Sequence, residues 1–188
     1  DYTTNNGTVT FAADSSTPQN IVIAITDDLI EEVDKSFTVT LSAPTGGATL
    51  GSNTVSTITI QDDDAIGELT IDPATVSVGE AAGTVNVTVE RVGGSSGPVS
   101  ATVNTFDGSA TVAGLDYTAI SGGTVSFLNG ETQKTIPVTI NNDVNDEGNE
   151  NFTVVISAAT NGATIDNNTA TVTITDNDDA GEIAINPG

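Results

Sequence analysis

The chain has 188 residues, 36% of them hydrophobic, and sets 26 acidic side chains against three basic ones for a formal charge of −23. This is a globular composition with room for one large or two small domains, and it offers no basic patch to neutralise nucleic-acid phosphate or an anionic membrane. Cys and His are both absent, so disulfides, thiolates and the usual ligands of zinc, copper and haem are excluded, and the remaining oxygen ligands suit hard cations, Ca²⁺ above all.

Taken in chain order, the sequence reads as β-strands separated by turns. An acidic cluster (Asp27, Asp28, Glu31, Glu32, Asp34) precedes a strand at Phe37, and the last strand of this first part ends in Asp62, Asp63 and Asp64. Asp64-Ala65-Ile66-Gly67 then leads straight into the next unit without a flexible Gly/Ser linker, which favours a semi-rigid rod. Val85, Val87 and Val89 alternate with polar residues, as do Val99, Ala101 and Val103, then Ile136, Val138 and Ile140, then Phe152, Val154 and Ile156, then Val172 and Ile174. Period two with β-branched residues predicts strands with one buried face. Gly93-Gly94, Gly122-Gly123, Asn129-Gly130 and Asn161-Gly162 supply the turns. Pro137 interrupts its run and places that strand at an edge or a bulge. Phe11, Phe37, Phe127 and Phe152 fall in strand phase as core residues. No helix of useful length is readable, and no apolar run approaches the ~20 residues of a membrane-spanning helix.

The chain repeats itself. Asp1-Tyr2-Thr3 returns as Asp116-Tyr117-Thr118, Gly7–Phe11 as Gly123–Phe127, Phe37–Ala43 as Phe152–Ala158, and Ile58–Asp64 as Val172–Asp178. The period is about 115 residues, one β-domain long. Residues 1–65 read as the C-terminal part of one repeat, 66–179 as a complete repeat and 180–188 as the first strand of a third. No signal peptide is visible, and Asp1-Tyr2 falls mid-pattern, so the native N-terminus is expected elsewhere. About seven strands per repeat predict an all-β fold of tandem, immunoglobulin-like, seven-stranded antiparallel β-sandwiches. Residues 1–65 lack roughly three strands, so a neighbouring chain or an upstream segment is expected to complete them, with Gly181–Asn186 a candidate donor strand.

The acid is clumped rather than spread. Beyond the two clusters above, Asp143, Asp146, Glu147 and Glu150 form a third and Asp176, Asp178 and Asp179 a fourth. Like charges this close cost on the order of 1 kcal/mol per pair in water, so a cation belongs among them. Two strands separate the loop at 141–151 from the one at 176–179, and parity places both at one end of the sandwich. Turn preference alone explains a single Asp in one loop, but not clusters recurring at one phase of a repeat. An EF-hand is excluded, because the twelfth position counted from Asp143 is Val154 rather than Glu, and flanking helices are missing. Asp116-Tyr117 reads as a turn-and-core pair, and Asn151-Phe152-Thr153 as a chance sequon leading a strand.

Asp107-Gly108-Ser109-Ala110-Thr111, Gly114-Leu115-Asp116-Tyr117, Gly123–Phe127 with Gly130–Ile136, the acidic loop ending at Phe152, and Thr173–Asp178 together resemble the Calx-beta family. The resemblance covers almost the whole chain. It implies a seven-stranded sandwich and Ca²⁺ ligands at Glu80, Asp107, Asp143, Glu147, Glu150, Asp176 and Asp178, with Asn145 offering a backbone carbonyl. Asn142 and Asn177 stand where strongly binding members often carry Asp, and an amide oxygen coordinates without charge. In the first repeat Asp27, Asp28, Glu32, Asp62, Asp63 and Asp64 match, whereas Lys35 stands in the place of Glu150 and disfavours a second ion. Members serve as calcium sensors in sodium–calcium exchangers and as modules of extracellular and adhesive proteins.

The expected function is therefore a calcium-binding structural or adhesive repeat of a long extracellular or cell-surface protein, with Ca²⁺ stiffening loops and joints. Adjacent repeats are the expected partners, with self-association into fibres as an extension. The alternative is a calcium-responsive regulatory module coupled to a partner domain. Catalysis is not expected: the carboxylates sit in loops suited to metal, and aromatic residues are only 4%.

Overall fold

A computed structural model describes residues 1–181 and 183–185. The chain divides into two compact units, Asp1–Asp63 and Asp64–Gly188, two residues earlier than the expected boundary. The shift has a local cause. Ala65 accepts a hydrogen bond from Ser96 N (2.9 Å), and Ile66 accepts one from Arg91 Nε (2.7 Å), so both residues are tied to the second unit.

Unit 1 holds one antiparallel pair, β1 (Lys35–Thr40) and β2 (Val55–Ile60), with Phe37 opposite Ile58. Tyr2 bridges to Ile25, and its ring stacks on Phe37 with centroids 4.1 Å apart. Phe11 was expected in the core but is 56% exposed. Unit 2 shows why. β1 and β2 are the counterparts of its last two long strands, and residues 1–63 contain no counterpart of the strands in 66–115 that complete its sandwich.

Unit 2 begins with β3 (Glu68–Ile71), which pairs antiparallel with β5 (Thr84–Val92). The chain then crosses to the other sheet as β4 (Thr75–Gly79) and makes a single 3-10 turn at Glu80–Ala82. β6 (Val99–Asp107), β7 (Gly123–Phe127), β8 (Gln133–Thr139), β9 (Glu150–Ser157), the two-residue β10 (Thr164–Ile165) and β11 (Thr169–Thr175) follow. The sheets are β10-β3-β5-β8 and β4-β11-β9-β6-β7. Two pairings, β10 with β3 and β4 with β11, are parallel rather than antiparallel. The β4–β11 pairing arises because the first strand is split between the sheets and its second half runs beside the last strand. Pro137 lies in β8, an edge strand, where a missing N–H costs no ladder bond.

Inward-facing residues of both sheets form one core. Val87, Val89, Phe152, Val154, Ile156 and Val172 are fully buried there, at the alternating positions the sequence pattern marked, and Leu69 of β3 joins them. The Tyr117 ring stacks on Phe152 with centroids 4.1 Å apart, as Tyr2 does on Phe37. Residues 180, 181 and 183–185 form no strand; Glu182 and 186–188, which carry the rest of the expected third-repeat strand, lie outside the described residues.

Candidate metal centre

One pole of unit 2 gathers carboxylates from three separate loops. β4 ends there, and Glu80 in the 3-10 turn is buried (7% exposed) while its Oε1 accepts a hydrogen bond from Asp143 N at 2.8 Å. A carboxylate does not enter a buried position unless something charged or donating meets it. Glu80, Asp143 and Asp178 each present one oxygen within 4.8 Å of the others. Among the described residues, Asp178 Oδ2 is the one buried side-chain oxygen without a hydrogen-bond partner. A buried carboxylate oxygen without a donor, on a residue grouped with two other carboxylates, fits a hard cation: the donors are all oxygen, and the ion would supply the charge the protein lacks.

A second group adjoins the first. Asp116, Glu147 and Glu150 also bring an oxygen each within 4.8 Å of one another. A small cavity lined by Glu80, Asp116, Asn141, Glu147, Gly148, Glu150, Ile174 and Asp176 connects the two groups. Burial, then a hydrogen bond and repulsion from Asp116, push the Glu150 carboxyl up to about 7. Glu147 is raised too, first by desolvation and then by Asp143 and other neighbouring acids. Asp176 moves the other way, because the N–H groups of Asp178 and Gly148 donate to it.

The expected site residues divide accordingly. Glu80, Asp143, Glu147, Glu150 and Asp178 fall into the two groups, and Asp176 lines the connecting cavity. Asn145 turns its N–H onto Asp143 Oδ1 (2.7 Å), and Asn177 directs its N–H at Asp176. Asp107, at the end of β6, is at the same pole but in neither group. Its Oδ1 is taken by the Tyr117 hydroxyl (2.6 Å) and Val112 N (3.2 Å). Burial of the ring, then the hydrogen bond to that carboxylate, push the Tyr117 phenol up to about 12. Asp116 was read as a turn residue, yet it completes the second group while its Oδ2 accepts from Thr111 N (2.6 Å). Its recurrence as Asp1 was the signal available in the sequence.

Unit 1 carries a related group with two changes: Asp28, the repeat mate of Asp143, joins it, and Lys35 replaces the mate of Glu150. Asp1, Asp28 and Glu32 lie within the same 4.8 Å, and Asp1 and Glu32 are the repeat mates of Asp116 and Glu147. Lys35, the mate of Glu150, places Nζ 3.1 Å from Asp1 Oδ1 and against Glu32. An ammonium stands where unit 2 carries a third carboxylate. Asp62 Oδ2 accepts from Glu32 N (3.2 Å), whereas Asp27, Asp63 and Asp64 fall in none of the three-carboxylate groups found among the described residues.

Comparison with known proteins decides the family. The sequence matches the Calx-beta domain over residues 1–64 and again over 62–178. The chain belongs to the Calx-beta family. Human sodium/calcium exchanger 3 is 33% identical over 176 residues, covering 83% of this chain but 19% of the exchanger. Sodium/calcium exchanger 1 of the dog is 34% identical over 169 residues, covering 81% of this chain and 17% of its own length. The chain thus spans about a fifth of these relatives. Among solved structures, the apo form of the Calx CBD1 domain has a TM-score of 0.55 at 28% identity, over 59% of this chain and 97% of that one. The calcium binding domain CBD12 of CALX1.1 has a TM-score of 0.57 at 30% identity, over 61% of this chain and 48% of its own. Unit 2 shares the all-β sandwich fold of those solved domains and gathers its own acidic loops at one pole.

Proposed function

We propose that this chain is a calcium-binding structural repeat in which the acidic pole of unit 2 takes Ca²⁺. The observation that carries the reading is the buried, unpartnered Asp178 Oδ2 beside Glu80 and Asp143. Those three residues would hold one ion, and Asp116, Glu147 and Glu150 a second. Bound calcium supplies the positive charge that offsets the mutual repulsion of these carboxylates. Around it, Asn145 N–H fixes the Asp143 carboxylate, and the N–H groups of Asp178 and Gly148 hold Asp176 in its ionised form. Binding stabilises the fold by about 2.7 kcal/mol when free calcium is a hundredfold above the dissociation constant.

The site serves binding rather than catalysis, and its work is mechanical. With Asn at 142 and 177 it carries less charge than a site of Asp alone, which suits the millimolar calcium outside cells and supports an extracellular or cell-surface setting. Adjacent repeats are its partners. Phe11 and Val22 of unit 1 are 56% and 77% exposed, an apolar surface that a neighbouring repeat in an array or fibre would bury. Calorimetric titration of the chain with Ca²⁺, with Mg²⁺ as control, tests the reading: near-millimolar calcium binding supports it, and no heat of binding removes it.

The similarity to exchangers favours a second reading, a calcium-responsive regulatory module. A submicromolar midpoint in the same titration would select it, because a switch must respond at intracellular calcium levels.

A further inference from the structure

The first and last strands of the five-stranded sheet of unit 2 lie side by side and run parallel. β4 and β11 are registered over five pairs, from Thr75 opposite Thr171 to Gly79 opposite Thr175. The chain arrives beside Arg91, which is 2% exposed and donates to the carbonyls of Ile66 (2.7 Å), Gly97 (2.9 Å) and Ser96. Arg91 sits near the far end of nine-residue β5, some 25 Å from the acidic pole at ~3.3 Å per residue. The chain leaves β11 at the acidic pole. Tension along the chain therefore reaches β3 first, in its short pairing with β5, and through it draws β4 back toward Arg91 while β11 is drawn forward past the acidic pole. Parallel neighbours pulled in opposite directions along their own axes load every hydrogen bond between them together. Strands peeled from one end load them one at a time.

We propose that unit 2 is a force-bearing module whose resistance resides in the β4–β11 pair, and that the acidic pole locks this pair when it holds a cation. Glu80 immediately follows β4 and Asp178 closely follows β11, and both present oxygens to one group. An ion gripped by both ties the two strand ends at the point where tension leaves the unit. The lock rests on the calcium reading above; the shear geometry does not.

Single-molecule force spectroscopy of the full chain, tethered through its ends, tests both parts. Unit 2 should open in one event releasing about 110 residues, ~380 Å at ~3.5 Å each. The dependence of force on loading rate should give a distance to the transition state of about 3 Å, one hydrogen-bond length. Sequential peeling would give more than ~10 Å, because each residue released adds ~3.4 Å, and that result would overturn the shear mechanism. Ala74 O accepts Thr171 N–H, so strand alternation turns residues 76 and 78 toward β11 and residue 77 away. Val78→Pro should lower the unfolding force and Ser77→Pro should preserve it; equal loss from both contradicts the assignment. If Val78→Pro does not fold, the transition distance of the unaltered chain decides alone. Calcium at a hundredfold excess over its dissociation constant should slow unfolding by up to ~100-fold relative to chelator. Calorimetric binding with a force unchanged by chelator would overturn the lock and leave the calcium reading standing. Absence of binding would sink that reading and the lock together, while the force curve in chelator still decides the shear.

Discussion

Replacing Glu150 with Lys should convert the second carboxylate group of unit 2 into the arrangement unit 1 already carries. In unit 1 the Lys35 ammonium contacts Asp1 at 3.1 Å and Glu32, and all three side chains are between 35% and 39% exposed. A unit-charge pair at ~4 Å is worth about 4 kcal/mol at an effective dielectric of 20 and about 1 kcal/mol in water. Exposure of this degree places the pair near the watery limit, so Glu150→Lys should stabilise calcium-free unit 2 by about 1 kcal/mol. For a domain this size that raises the melting temperature by about 4 °C in chelator. It should also lower calcium stoichiometry by one ion per chain and shrink the stabilisation calcium confers. Differential scanning calorimetry with and without calcium, paired with isothermal titration, reads both effects. A calcium-free variant less stable than the parent, or an unchanged stoichiometry, would refute the reasoning that lysine replaces the ion.

Asp178→Asn removes a buried, unpartnered charge; it should stabilise the protein in chelator by about 1 kcal/mol yet weaken calcium binding, so the melting curves with and without calcium should converge. Arg91→Met leaves three carbonyls without their donor; urea denaturation should show a loss of about 3–5 kcal/mol that calcium does not restore through its own site. The raised Glu150 carboxyl makes the calcium-free fold bind more protons than the unfolded chain. Its contribution to stability is therefore present below the ordinary carboxylate range and lost as pH rises through about 7, so melting in chelator should fall between pH 5 and pH 8, and calcium should abolish the slope by holding Glu150 ionised.

Much of the architecture was legible because a strand buried on one face must alternate. Val85, Val87, Val89, Phe152, Val154 and Ile156 are buried where the period-two pattern placed them. Parity of strands brought the loop at 141–151 and the loop at 176–179 to one pole. Three things escaped. Parallel pairing of β4 with β11 depends on the chain changing sheets between Ile71 and Thr75, and no periodicity records which sheet a short strand joins. Phe11 shares the pattern of Phe127 but not its burial, because burial depends on covering strands that residues 1–63 do not contain. Asp116 was read as a turn residue because the adjacent Tyr117 marks the core. A residue beside a core position faces the opposite way, and only the folded loop shows that it faces Glu147 and Glu150. Conversely, Asp107 fits the family pattern by sequence, while its engagement by the Tyr117 hydroxyl is visible only in three dimensions.

The proposed divalent ion sits where Glu80, Asp143 and Asp178 converge. Crystals grown in calcium, with anomalous differences measured at a long wavelength, address it without reference to affinity or stability. A peak among those three carboxylates, with Asp178 Oδ2 among its ligands, is the expected result. A well-ordered pole with water or nothing at that point, at saturating calcium, would contradict the account.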